Sequence, residues 1–185
     1  MCEVPIFYAT TEGQTRRIAE RLAERVRAHG LDSRAFAVTS GEVAQVDWRH
    51  VRSAVVAASV HMQRHQSEAR AFARVHRGEL SAVPSLFVSV SLAAASKNPD
   101  EVEAARKIAE KFAVETGWRP GRIASVAGRL AYTQYNWFVR MFMRRIAKAE
   151  GASTDTSCDH EYTDWVEIDR LAGQIASSAS VTVAC

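Results

Sequence analysis

The stretch VPIFYATTEGQTRRIAERLAERV at residues 4–26 decides the fold. Its first part, Val4–Ala9, is apolar and β-prone, which predicts a buried strand. Residues Thr15–His29 then carry apolar side chains every three or four positions, the spacing of an amphipathic helix, and Gly30 ends that helix. A strand that runs through a short polar turn into a helix is the opening of a β-α-β unit.

The same alternation continues along the chain and predicts an α/β fold. Its elements close into a doubly wound, five-stranded parallel sheet with helices on both faces. The surplus chain between the fifth strand and the last helix predicts an added helical segment, so we expect a single domain over 1–185 with an insertion at about 132–161. The remaining strands are predicted at Ser33–Val38, Ala54–Val60, Ser85–Ser91 and Arg122–Ala127, and the remaining helices at Ser67–His76, Asp100–Thr116 and Thr163–Ser177.

Composition excludes several classes of protein. A hydrophobic fraction of 47% and a net charge of +3 are those of a globular chain, not of a disordered one or a coiled coil. Cys2, Cys158 and Cys185 form no CxxC pair, so reduced thiols are expected rather than a metal site or a disulfide framework. No secretory signal opens the chain, and its longest uncharged run, residues 80–96, is too short to span a membrane. These features predict a cytoplasmic location.

The turn after the first strand has the composition of a phosphate-binding loop. Thr10, Thr11 and Thr15 offer hydroxyl donors, Gly13 lets the backbone approach a ligand, and the following helix directs its N–H groups and dipole at an anion. The turn contains no lysine and lacks the three glycines of a dinucleotide fingerprint. Helix capping by a threonine is the alternative interpretation. Glu12 is left out of the predicted site, because a carboxylate beside a phosphate is unfavourable.

At this turn the sequence resembles the flavodoxin-type FMN proteins, whose first strand is followed by a Thr/Ser-x-Thr-Gly-x-Thr turn. Residues 7–26, 55–66, 84–92, 117–146 and 151–165 resemble, more narrowly, the menaquinone-dependent protoporphyrinogen IX dehydrogenases. The more specific matches are Trp118-Arg119-Pro120 and Tyr162-Thr163-Asp164-Trp165, whose residues have a structural interpretation as turn packing and helix capping. The resemblance covers most of the chain.

The resemblance implies a flavodoxin-like fold, FMN as cofactor, and oxidation of protoporphyrinogen IX to protoporphyrin IX with electrons passed to a membrane quinone, a step of haem biosynthesis. It implies no catalytic acid, base or nucleophile that the sequence singles out. Two other functions stay open on the same fold, a flavodoxin-like electron carrier and an NAD(P)H:quinone reductase. A carrier is usually acidic, whereas this chain is basic, and no nucleic-acid partner is expected.

Two further loops are expected to hold the flavin, because ligands of open parallel sheets bind at the carboxyl ends of the strands. In the loop that follows the third strand, His61 or Arg64 either stabilises negative charge on reduced flavin or is solvated, and Met62 can pack on the ring where related proteins place an aromatic side chain. The serines of the next loop either face the flavin or are buried strand residues. The predicted cofactor-binding residues are Thr10, Thr11, Gly13, Gln14, Thr15, Ser59, Val60, His61, Met62, Ser89, Val90, Ser91 and Leu92.

The insertion carries a basic amphipathic pattern. The stretch from Arg119 to Glu150, which runs into the insertion, holds seven basic residues and one acid, and at about 100° per residue the cations of the predicted helix lie opposite an apolar side. This helix either packs on the domain with a solvated basic face or meets anionic lipid or the propionates of a tetrapyrrole, which would place the protein peripherally on the inner face of the cell membrane. The residues predicted to make this substrate or membrane contact are Trp137, Arg140, Met141, Arg144 and Lys148.

Overall fold

The computed structural model of the protein describes residues 3–130 and 160–181. Its strands are β1 (Val4–Ala9), β2 (Ser33–Ala37), β3 (Ala54–His61), β4 (Arg64–His65), β5 (Ser85–Ser91), β6 (Arg122–Ala127), β7 (Arg129–Leu130) and β8 (His160–Glu161). Its helices are α1 (Gln14–Ala28), α2 (Ser67–Val75), α3 (Arg77–Ala82), α4 (Pro99–Thr116) and α5 (Trp165–Val181), with short 3₁₀ turns at Gly41–Gln45, Trp48–His50 and Ala93–Ala95. The predicted α/β fold class is confirmed.

The central sheet has the strand order β2-β1-β3-β5-β6, and all of these neighbours run parallel. The chain leaves β1 toward β2 on one side and returns to β3 on the other. This reversal opens a crevice beyond the carboxyl ends of β1 and β3, where open α/β sheets bind their ligands.

Helices cover both faces of the sheet, and each face has its own apolar core. Ile6 points to the face covered by α1 and α5, where it packs with buried residues such as Ile18 and Leu171. Phe7, the next residue, points to the face covered by α2 and α4, where Phe112 is buried. Because successive side chains of a strand point to opposite faces, the continuous apolar strands of this chain supply both cores.

The structure adds three short strands and one short helix to the predicted elements. The chain after β3 folds into an antiparallel hairpin with β4, and β7 pairs with β8 in a separate two-stranded ribbon. Helix α3 was not predicted, because six residues are too few to show a helical period. The last helix begins at Trp165, since the Asp164 carboxylate accepts the backbone N–H groups of Val166 and Glu167 as its cap.

No helix within residues 3–130 and 160–181 combines the length and the apolar character needed to cross a membrane. Residues 131–159 lie outside the described part of the chain, and with them most of the predicted insertion at about 132–161 and all five residues of the predicted substrate or membrane contact.

Candidate functional site

A cavity of about 310 Å³ opens at the carboxyl ends of β1, β3 and β5. It lies where the reversal of strand order predicts a ligand site. Most of the predicted cofactor-binding residues line it, although they come from three separate stretches of the sequence. The lining residues are Thr10, Thr11, Glu12, Gln14, Thr15, Ser59, Val60, His61, Met62, Val90, Ser91, Leu92, Gly128 and Arg129.

The turn between β1 and α1 presents its donors to this cavity. Gly13 adopts a left-handed conformation (φ 84°), which a glycine reaches without strain, and the helix begins directly after it at Gln14. The Thr10 hydroxyl oxygen accepts the Gly13 N–H at 2.9 Å and keeps its own proton free to donate. Gly13 itself does not line the cavity, so its contribution is the shape of the turn.

Thr15 shows that this turn fits an anion. It is 1% exposed and lines the cavity, yet its hydroxyl has no hydrogen-bond partner within the described part of the chain. A buried hydroxyl without a partner costs free energy that a bound oxyanion would recover. The donor set of hydroxyls and helix N–H groups is that of a phosphate site.

The second predicted loop is a β-hairpin. Val60 and His61 pair with His65 and Arg64, and the turn between the strands is made by Met62 and Gln63, with φ of 49° and 60°. Both residues are in the left-handed region, where residues with side chains are uncommon. The turn presents Met62, 85% exposed, at the rim of the cavity, so an apolar side chain is available there to a bound ring system.

Gln66, which the sequence prediction did not include, connects two walls of the cavity. Its side-chain amide donates to the Ser59 hydroxyl and, at 3.3 Å, to the Thr11 hydroxyl. The residue stands at the N-cap position of α2, and its sequence context carries no signal for this role. The hairpin and the phosphate turn are therefore held at a defined separation.

The third stretch contributes less than predicted. Val90, Ser91 and Leu92 line the cavity, and the Ser91 hydroxyl is a second buried donor without a partner among the described residues. Ser89 lies two residues deeper in β5, where it is 1% exposed and its hydroxyl lies 3.0 Å from His65 Nε2. Ser89 is thus a buried strand residue, the alternative that the sequence left open.

The buried side chain of His65, on β4, holds the hairpin against the core of the sheet. Its ring packs edge-on against Phe87 and Phe112, with centroid separations of 5.1 Å for both. Burial lowers the pKa of His65 to about 4, and the positive charge of Arg70 acts in the same direction although Glu115 opposes it. The imidazole is therefore neutral at pH 7 and serves to hold β4 on the sheet.

The loop after β6 supplies lining residues that were not predicted. Gly128 allows a close approach, since a Cβ there would lie 3.2 Å from Val90 Cγ1. Arg129 lines the cavity and donates from Nη2 to the Glu12 carbonyl oxygen at 3.5 Å. Glu12, which was left out of the predicted site, also lines it. The position of this loop at a strand end was the available signal.

Among the residues that the structure describes, no group of three or more His, Cys, Asp or Glu side chains is placed to hold a metal ion. The chemistry of the cavity is that of hydroxyl donors, backbone amides and apolar walls. Such a lining suits an organic cofactor with a phosphate at one end and a flat ring at the other.

Comparison with known sequences gives relatives over nearly the whole chain. The model of the flavodoxin domain family matches residues 5–157. Protoporphyrinogen IX dehydrogenase [quinone] of Escherichia coli K12 is 33% identical over 171 residues, which are 92% of this chain and 93% of the relative. The protein of the same name from Leishmania major is 29% identical over 93% of this chain and 74% of its own length.

Solved structures with a similar fold include flavodoxins. The flavodoxin of Streptococcus pneumoniae TIGR4 superimposes with a TM-score of 0.55 at 16% identity, covering 96% of this chain and 97% of that one. A cysteine-to-alanine mutant of the Pseudomonas aeruginosa flavodoxin gives the same TM-score of 0.55 at 11% identity and covers 96% of this chain and 98% of that one. At these identities the likeness shows the fold alone.

The sequence match and the structural match thus agree on one fold, and in this chain the cavity at the strand ends includes the hydroxyl-rich turn. The unpartnered Thr15 hydroxyl and the helix N-terminus fit the phosphate end of a flavin mononucleotide. The chain therefore belongs to the flavodoxin-domain family, and its cofactor is FMN.

Proposed function

We propose that this protein oxidises protoporphyrinogen IX to protoporphyrin IX and passes the electrons to a quinone. The observation that carries the proposal is the 33% identity to the Escherichia coli protoporphyrinogen IX dehydrogenase [quinone] over 92% of this chain and 93% of that protein. The match extends over nearly the full length of both proteins, which supports a shared activity.

The cavity supports a flavin-dependent oxidation of the substrate. FMN supplies the redox chemistry, since a flavin can take up a hydride or single electrons. The chain binds the phosphate end with Thr10 and Thr15 and presents the exposed Met62 at the rim of the cavity. The full reaction removes six hydrogens from the substrate and reduces three quinones to quinols.

Proton transfer needs groups at the same cavity. Among the described lining residues, Glu12 and His61 have side chains of the types that act as general acids and bases. His61 is exposed and lies in the hairpin next to Met62. In this proposal His61 takes up protons released by the substrate, while the buried His65 stays neutral.

The experiment is an anaerobic assay of FMN-loaded protein with protoporphyrinogen IX and several water-soluble quinones. We expect protoporphyrin fluorescence that rises with quinone concentration and is absent with apoprotein. If no quinone gives fluorescence above the no-enzyme control, the electron-carrier function takes precedence. Bleaching of the flavin by NADH or NADPH would instead favour an NAD(P)H:quinone reductase.

A quinone acceptor dissolved in a membrane implies that the protein works at the membrane surface. The basic residues of the insertion support a peripheral contact with anionic lipid or with the substrate propionates, since each basic residue near such a surface contributes about 1 kcal/mol. In this proposal the protein is cytoplasmic and binds reversibly to the inner face of the cell membrane, where it can reach both the membrane quinone and anionic lipid.

A further inference from the structure

The ribbon of β7 and β8 lies against the phosphate turn. Arg129 pairs with Glu161 in its ladder, and the Tyr162 N–H extends the pairing to the Gly128 carbonyl at 3.1 Å. The Gly128 N–H in turn donates to the Ser91 carbonyl at 3.2 Å, which fixes the ribbon to the end of β5. One end of the ribbon is thus part of the cavity wall.

Side chains lock the ribbon to the first residue of α1. The Gln14 amide nitrogen donates to Glu161 Oε1 at 2.9 Å and to Thr163 Oγ1 at 2.8 Å. Thr163 donates its own proton to the Ala127 carbonyl at 2.9 Å, and Glu161 Oε2 accepts from Arg17 at 3.2 Å. Gln14 is 5% exposed, so this contact between residues nearly 150 positions apart is buried.

These contacts hold the ribbon so that a cationic side chain, Arg129, lies in the cavity wall. Arg129 is half-buried, and among the described residues that line the cavity it is the one side chain that carries a permanent positive charge. Its guanidinium reaches the Glu12 carbonyl, within the turn that holds the phosphate-binding hydroxyls. The other described donors that line the cavity at this turn are neutral, so Arg129 is the described group whose charge can offset repulsion between a phosphate and the Glu12 carboxylate.

We propose that Arg129 binds the phosphate of FMN and that Glu161 and Thr163 are positioning residues that hold Arg129 and the turn together through Gln14. A guanidinium suits this task because it is always charged and offers several donors in a fixed plane to an oxyanion. The proposal concerns cofactor binding, so it holds or fails independently of the substrate that the protein oxidises.

The test compares the affinity of the full-length apoprotein for FMN and for riboflavin, which lacks the phosphate. Arg129→Gln is expected to weaken FMN binding roughly ten- to a hundredfold, the range for one hydrogen bond to a charged group, while riboflavin affinity stays within about twofold. Arg129→Lys should recover part of the loss. Arg16→Gln is the matched control, because Arg16 lies on the neighbouring helix α1 with its guanidinium paired to Glu20, and it should change neither affinity.

Equal losses for FMN and riboflavin in Arg129→Gln would overturn the proposal in favour of a structural role. Unchanged FMN affinity together with a raised KM for the tetrapyrrole would overturn it in favour of a substrate contact. Wild-type FMN affinity should also fall with rising salt, and more steeply than that of Arg129→Gln, since only the wild type retains this ion pair.

The positioning residues have a separate readout. Glu161→Ala and Thr163→Val should each weaken FMN more than riboflavin, because a displaced ribbon carries Arg129 away from the phosphate. Glu161→Gln keeps an acceptor for the Gln14 amide and should restore FMN affinity toward the wild-type value. Equal weakening of both flavins by Glu161→Ala, with no rescue by Glu161→Gln, would contradict this role.

Discussion

At the scale of single residues, the site is characterised by polar groups that the chain itself leaves unsatisfied. Thr15 and Ser91 bury hydroxyls without partners in the described structure, whereas the buried Thr116 hydroxyl donates to the Phe112 carbonyl at 2.8 Å. Two buried threonines with the same chemistry thus differ in function. The Thr116 hydroxyl forms its hydrogen bond within helix α4, whereas the Thr15 hydroxyl is available to a ligand.

Replacement of Thr15 by valine, which has nearly the same shape, should separate ligand binding from stability. FMN affinity is expected to fall roughly tenfold or more, while the free energy of unfolding of the apoprotein rises by about 1 kcal/mol, because an unsatisfied buried hydroxyl is removed. Isothermal titration and urea unfolding measure the two quantities. Thr116→Val is the control and should show the reverse pattern, lower stability with unchanged FMN affinity.

His65 predicts a pH dependence of stability. The pKa of His65 in the folded protein is about 4, below the ordinary value of 6.5. Between pH 4 and pH 6.5 the imidazole is therefore mostly protonated in the unfolded chain and mostly neutral in the folded protein. Stability is therefore lost as the pH falls from about 6.5 toward 4. From about pH 7 to about pH 5 this residue should lower the free energy of unfolding by about 2 kcal/mol.

Urea unfolding of the FMN-saturated protein at several pH values tests the role of His65. The matched variant His65→Gln should be less stable at neutral pH but should lose clearly less stability on acidification to about pH 5. An identical pH slope in both proteins would show that the imidazole is not the group responsible.

At the scale of elements, the β3–β4 hairpin combines strain with exposure. Its two turn residues, Met62 and Gln63, are held at positive φ, where a hairpin of this kind usually has Asn and Gly. Strained backbone of this sort concentrates at ligand sites. The hairpin is held in place from below by His65 and from the side by Gln66, so its tip is the part that a ligand can meet.

Relief of this strain should stabilise the protein. Met62→Asn combined with Gln63→Gly is expected to raise the free energy of unfolding of the apoprotein by about 1 kcal/mol, since both new residues tolerate the left-handed conformation. Chemical denaturation measures the change. Lys107→Gly, in the exposed interior of α4, is the control and should lower stability by about 1 kcal/mol. A loss of stability in the hairpin variant would mean that Met62 contributes more by packing than it costs in strain.

At the scale of the whole molecule, charge is distributed unevenly. Net charge is only +3, yet seven of the basic residues fall between Arg119 and Glu150 beside a single acid. Arg129, near the start of this stretch, lines the flavin cavity. Most of the remainder belongs to the insertion, for which the sequence predicts a contact with anionic lipid or substrate.

Charge reversal tests that contact. The triple variant Arg140→Glu, Arg144→Glu, Lys148→Glu should lose binding to anionic vesicles at low salt, or show a raised KM for the tetrapyrrole, with an unchanged FMN spectrum. Co-sedimentation with vesicles and steady-state kinetics provide the measurements. Reversal of Arg74, Lys97 and Lys107, which are exposed on the described fold, is the charge-matched control and should leave both unaffected. A triple variant that releases FMN and unfolds would show that the segment is structural.

Sequence pattern alone determined the five strands of the central sheet and the phosphate turn. The bounds of β1, β5 and β6 were predicted to the residue, because a buried strand is a short apolar run closed by polar residues, and that signal is local. Thr10, Thr11, Gln14 and Thr15 were recognisable for a similar reason, since the turn and its hydroxyls are contiguous.

Only the tertiary structure decided which distant residues complete the site. Arg129, Glu161 and Gln66 meet the turn through contacts that join separate elements, and no local spacing encodes such a meeting. It also decided that the Ser89 hydroxyl lies against His65 while Ser91, two residues further along β5, lines the cavity, because the depth at which a ligand meets a strand depends on how the neighbouring elements pack around the strand end. A binding motif made of contiguous residues can be predicted from the sequence, whereas a site made of distant residues depends on which surfaces the fold brings into contact.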